Sequence, residues 1–182
     1  MNKIFHIFLL SNKQLTAPMK LFPTKNYEFE VADYLKAIYV LKENTFITDS
    51  LVSEWTKKAF IGQVGENGFK IISATSGRGS FSVFTGTLES KSGNLEIRIH
   101  RAFRIMLLII YSFPIIGFTI ALLTKEKDLV ISLILPTLMS LIIFRFVFTE
   151  LAFRFISNEG LKKLINVMEI TNLKKVTSII SN

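Results

Sequence analysis

The sequence predicts an α+β membrane protein. A small antiparallel-sheet domain of about four or five strands plus a helix precedes a two-helix transmembrane hairpin, and a C-terminal amphipathic helix either docks back on the sheet, the favoured placement, or lies on the membrane surface. Three observations predict it. Residues 105–123 and 129–148 form two long apolar runs separated by a short charged turn. Between residues 58 and 100 apolar and polar side chains alternate, punctuated by Gly and Asn. Leu161, Leu164, Ile165 and Met168 return to helical spacing. The expected organisation is an N-terminal segment (1–19), a membrane-proximal α+β domain (20–103), the hairpin (104–149), the amphipathic helix (150–170) and a poorly ordered tail (171–182).

Composition narrows the chemistry. The chain has 182 residues, is 49% hydrophobic and carries a net charge of +8, which excludes wholesale disorder. It has no cysteine, so disulfides, thiolate metal sites and cysteine nucleophiles are excluded. His6 and His100 are the two histidines, too few for a multi-histidine metal centre. Neither a P-loop nor a dinucleotide fingerprint occurs, and no cofactor is expected.

In the N-terminal segment, Lys3 followed by Ile4–Leu10 has the look of a short signal sequence without an A-x-A cleavage pattern. Three readings stay open: a weak signal, an amphipathic start, or a coding start at Met19. Tyr27–Val31 alternates as a half-buried strand. Asp33 then caps a helix through Glu43, with Leu35, Ile38, Tyr39 and Leu41 as its expected buried face. Asn67-Gly68 is the strongest turn signal, since both residues tolerate positive φ. It is expected to join strands at Lys58–Val64 and Phe69–Ala74.

Ser76-Gly77-Arg78-Gly79-Ser80 reads as a second turn, with a phosphate cradle as the sharper alternative. A strand at Phe81–Leu88, a turn at Ser92-Gly93-Asn94 and a strand from Leu95 to His100 complete a meander. In that last strand Leu95, Ile97 and Ile99 share one face, with Glu96, Arg98 and His100 on the other. Trp55, beside Lys57 and Lys58, suits either a membrane-interface belt or the domain core.

Residues 105–123 carry no charge and span about 29 Å as a helix, close to the hydrocarbon thickness of a bilayer. Residues 129–148 carry one, Arg145, near the end, where it can snorkel. The Lys125–Asp128 link suffices only for a tight turn. Pro114 and Pro136 fall at mid-span and read as structural kinks. Gly117 and Ala121 make a small-xxx-small pair for packing within the hairpin or between copies. Glu150 and Arg154, four apart, are spaced to pair, and Ser157 or Asn158 is expected to cap a separate final helix.

Arg98, Arg101 and Arg104 precede or open the first run, and Arg145, Arg154, Lys162 and Lys163 lie near or after the end of the second, all on one side. By the positive-inside rule both termini face the cytoplasm and the turn lies outside. The expected location is therefore a bacterial cytoplasmic membrane, the Lys-, Ile- and Asn-rich usage matching an AT-rich bacterial genome. Together with His100 these arginines are the candidate contacts for anionic headgroups or a protein partner. The basic residues are dispersed or flank the runs, so nucleic acid is not the expected partner.

The leading expectation is a non-enzymatic membrane-anchored module that binds lipid or a membrane or cytoplasmic protein, or serves as an accessory subunit. One rival is a homo-oligomeric transport or pore-forming subunit, drawn from the paired prolines. The other is a membrane-associated enzyme using His100 with Glu96 or Glu150.

Overall fold

The alternation along Leu95, Ile97 and Ile99 aims all three at one face of a sheet, and all three are buried there. The computed structural model describes residues 21–75, 79–124 and 127–176. Its strands are β1 (Thr24–Val31), β2 (Thr45–Ile47), β3 (Phe60–Val64), β4 (Gly68–Ser73), β5 (Ser82–Glu89), β6 (Ser92–Ile99) and β7 (Ile170–Val176). Helix α1 is Tyr34–Glu43 and α2 is Arg101–Thr124. Helix α3 (Lys127–Ile142) passes through a π-helical turn (Ile143–Thr149) into α4 (Glu150–Met168). The expected N-terminal segment, Ser76–Arg78 of the second turn and Lys125-Glu126 of the link lie outside the described residues.

The strands form one seven-stranded sheet in the order β2-β3-β4-β5-β6-β1-β7. Every neighbouring pair is antiparallel except β2–β3. Helices α1 and α4 cover the inner face. There Phe29, Phe60, Phe69, Ile71, Phe84, Leu95 and Ile97 share one cluster with Leu41 of α1 and with Phe153, Leu161, Leu164 and Met168 of α4. The amphipathic helix thus docks on the sheet. Gly160 permits the approach, because a Cβ there would lie 2.4 Å from the Phe84 ring. On the outer face Ile61, Ile72 and Val83 make a smaller cluster under Leu51 and Ala74.

The sheet is larger than the meander expected. Strand β2 has three residues, too few to display a period, and gains its place by pairing parallel with β3. Strand β7 occupies what was expected to be tail. Its residues 170–176 hydrogen-bond along β1 and satisfy an edge that otherwise lacks a partner. The chain enters β7 through Glu169, left-handed at φ 52, whose carboxylate receives the Lys36 ammonium at 2.7 Å.

Two turns sit elsewhere than expected. Glu66-Asn67 is the two-residue loop between β3 and β4, closed by the Gly65 N–H donating to the Gly68 carbonyl at 2.8 Å. Ser90-Lys91 joins β5 to β6, with Ser90 at φ 57. Gly93 lies within β6, where any Cβ would meet the Phe29 ring at 2.6 Å. It is a glycine of close packing, not of turning.

Helix α1 keeps its expected bounds, and the Asp33 carboxylate accepts from the Lys36 N–H. Its face is rotated. Ala37 and Leu41 are buried and Ile38 packs beside them, whereas Leu35 is 75% and Tyr39 62% exposed. The i, i+4 pair Ala37–Leu41 lets the helix backbone approach the sheet more closely than Leu35 and Tyr39 would.

Helices α2 and α3–α4 are long and apolar enough to cross a membrane. In α2 only Tyr111 and Ala121 are buried, and no described side chain of α3 is. Gly117 has open space where a Cβ would be, so it takes no part in hairpin packing. The second run continues without a break into α4, and no separate helix is capped at Ser157 or Asn158. Ser157 is buried, and its hydroxyl accepts a hydrogen bond from Lys25.

Candidate functional site

Both long helices meet the sheet at the same end. Strand β6 runs into α2 with only His100 between them. The His100 carbonyl accepts the Arg104 N–H at 3.0 Å, and its Nδ1 accepts the Ala102 N–H at 3.3 Å. The imidazole is therefore an N-terminal cap for α2, a role that needs a neutral ring with the proton on Nε2. Burial lowers its pKa from the usual histidine value, and the charges of Lys70 and Arg104 push in the same direction. Among the described residues neither Glu96 nor Glu150 engages the ring.

The returning helix is fixed at the π-helical turn. Thr149, buried, shares a 2.5 Å hydrogen bond with the Tyr111 hydroxyl, and its own hydroxyl reaches the Phe144 carbonyl at 2.9 Å. A widened turn frees backbone carbonyls, and the threonine hydroxyl satisfies one. Just beyond it Glu150 stands between two arginines. Arg154 Nε donates to Glu150 Oε1 at 3.0 Å, and Arg145 Nη1 lies 3.6 Å from Glu150 Oε2.

Lys25 enters this group from β1. Its ammonium donates to Ser157 Oγ at 2.7 Å and to Asn158 Oδ1 at 2.8 Å, and lies 5.3 Å from the centre of the Phe153 ring. Burial lowers its pKa, and the nearby charges of Lys175 and Arg154 lower it further, with Glu150 opposing. Arg145 and Arg154 thus flank the Glu150 carboxylate, and Lys25 feels its charge together with those of Arg154 and Lys175.

The predicted residues divide into two groups. Arg145 and Arg154 gather on Glu150. His100, Arg101 and Arg104 gather at the start of α2, where Arg101 is exposed and Arg104 half-buried. Arg104 Nε is buried without an acceptor among the described residues. Arg98 stands apart on the outer face of β6, opposite Val83 and Thr24. Sequence reasoning missed Lys25, Lys175, Tyr111 and Thr149. For Lys25 a signal existed: the inward row Val31, Phe29, Tyr27 is apolar and ends on a lysine.

Two depressions lie away from this end. One, of about 570 Å³, is polar and crosses the outer face between Glu28, Glu30, Glu89, Asn94 and Lys174. The other lies along the exposed side of α1, between Leu35, Tyr39, Lys42 and the Glu66-Asn67 turn. No group of three metal-ligating side chains occurs among the described residues. In comparisons with known proteins, no family model, curated protein or solved structure matches the chain.

Proposed function

We propose that the chain is a small, non-enzymatic integral membrane protein. In this reading α2 and α3 cross the bilayer as a hairpin, and the sheet is held at the cytoplasmic face, where its basic collar binds anionic lipid headgroups. One observation carries the reading. Two groups of cations, Lys25, Arg145 and Arg154 near Glu150 and Arg101 and Arg104 at the start of α2, lie where two otherwise unburied apolar helices leave the sheet. A partly buried lysine beside further cations is destabilised in its charged form, and an arriving phosphate relieves that repulsion.

The rivals gain less support. A transport path needs polar groups aimed between helices. The Tyr111 and Thr149 hydroxyls between the helices are spent on each other, and those of Ser112, Thr119 and Ser140 bond carbonyls of their own helices. Catalysis by His100 would use an imidazole already engaged as a helix cap.

The test is lipid selectivity in bilayers of mixed phosphatidylcholine and phosphatidylglycerol. The reconstituted protein is expected to retain phosphatidylglycerol preferentially on mild extraction, as read by native mass spectrometry. The triple variant Lys25→Gln, Arg104→Gln, Arg154→Gln is expected to lose that preference. Equal retention of both lipids by the unaltered protein would overturn the headgroup reading.

A further inference from the structure

The loop that carries Trp55 sits at the same end of the sheet as the departing helices, though far from them across it. Strands β2 and β3 are parallel, so the chain between them must return to the end at which it began. It does so over the outer face, where Leu51 packs on Ile61 and Ile72. It then reaches Ala59, whose N–H donates to the Asn44 carbonyl and whose own carbonyl accepts from Ala74. Residues 52–58 lead up to that point, with Trp55 beside Ala74 and the Lys58 ammonium on the Glu43 carbonyl. The His100 N–H bonds the Phe81 carbonyl at the corresponding level of β5 and β6, so this loop and the start of α2 share one end of the sheet. Three strand spacings separate β3 from β6, a lateral distance of about 14 Å.

Trp55 is 96% exposed and Val52 is exposed beside it. Lys57 and Lys58 follow, with Glu54 the one acid adjacent to the tryptophan. The Lys58 ammonium is bonded to the Glu43 carbonyl at the end of α1. Trp55 lies next to Ala74 but is not covered by it. An indole left in water at the end of the sheet where apolar helices emerge has the amphipathic character of an interfacial anchor: an apolar ring with an N–H that needs a polar partner.

We propose that the Val52–Lys58 loop is a second membrane contact. The Trp55 indole inserts at headgroup level, with Lys57 toward anionic phosphates, and the sheet stands on the bilayer at two separated points. The inference rests on the hairpin crossing the bilayer. Its consequence is orientational. The two long helices hold the sheet on its β6 side, and a further contact about 14 Å away at β3 fixes its broad end against the membrane. That brings Arg98, on the outer face of β6, toward the lipid.

Trp55 is the only tryptophan in the sequence, so the unaltered protein reports on itself. The experiment compares its fluorescence in proteoliposomes made with lipids brominated near the headgroup and with unbrominated lipids, alongside quenching by aqueous iodide. Flotation of the same sample shows whether the protein is incorporated. A control moves the reporter to the far end of the sheet, Trp55→Phe with Leu35→Trp, where Leu35 lies beside the Glu66-Asn67 turn.

The expected result is strong quenching of Trp55 by brominated lipid and protection from iodide, with the reverse at position 35. Incorporated protein in which Trp55 is quenched by iodide and not by bromine would overturn the second contact and leave the hairpin intact. Protein that does not float with the vesicles would overturn both.

Discussion

Phe153 and Phe113 are phenylalanines on the two long helices, but the first is 1% exposed and the second 66%. The difference divides the molecule. Around Phe153 the inward apolar side chains have protein partners: sheet against α4, α4 against α1. Around Phe113 the helices touch each other along a narrow seam that includes Tyr111 and Ala121 and leave their remaining apolar surface open. The sheet layer is organised as a water-soluble core. The two helices are long and apolar enough to cross a membrane, and in the reading proposed above a bilayer supplies the missing apolar contacts along their length.

Paired truncations test that division most severely. Phe153→Ala is expected to cost about 3–5 kcal/mol, because it opens a cavity between α4 and the sheet. Phe113→Ala is expected to cost about 0.5 kcal/mol or less in a bilayer, because lipid fills the space. Denaturant titration of the reconstituted protein, followed by hydrogen exchange in β5 and β6, measures both. Equal costs would mean that Phe113 has a protein partner, such as a second copy.

A smaller effect sharpens the seam itself. The Tyr111–Thr149 hydrogen bond is buried between the two helices next to the π-helical turn. Tyr111→Phe, Thr149→Val and the double variant form a cycle with an expected coupling of about 0.6 kcal/mol, the mean for hydrogen bonds between membrane helices. A coupling of zero would show that the pair does not hold the hairpin to the rest of the chain.

The smallest effect lies at the junction of the two regions. The pKa of His100 is lowered in the folded state, so its contribution to stability is complete above the unfolded value, about 6.5. It declines as pH falls below that value and is lost once pH passes through the lower folded one. The measurement is thermal stability of the reconstituted protein from neutral to mildly acidic pH. His100→Asn, which keeps a capping side chain, is expected to flatten that dependence. Identical pH slopes in the two proteins would remove the histidine from the account.

The comparison also explains what was legible in the sequence. Strand β1, the α1 cap, the meander and the two long apolar runs were readable, because each is written in local spacing. Elements that depend on remote partners were not. Strand β2 is three residues placed by its neighbour, and β7 contains Lys174 and Lys175, which read as tail until β1 is seen to lack a partner on that side. Leu35 and Tyr39 looked like core because they are apolar, yet Ala37 faces inward, where little space is left. Gly93 passed for a turn residue because the Phe29 ring that requires it lies 64 positions earlier.

Of the site, the arginines flanking the runs were visible as charge. Lys25 was not, since its distance from Ser157 in sequence hides a 2.7 Å contact. The exposure of Trp55 was equally hidden, because it depends on the parallel pairing of β2 with β3.

Sidedness tests the central claim most directly, and the absence of cysteine makes the measurement clean. Single cysteines at Ser92, exposed at the start of β6 away from the long helices, and at Lys127, beside the hairpin turn, are labelled in intact cells with a membrane-impermeant maleimide. The account predicts labelling at 127 in intact cells, and at 92 only after lysis. Equal labelling of both positions in intact cells would contradict it, because the sheet and the turn would then share one side of the membrane.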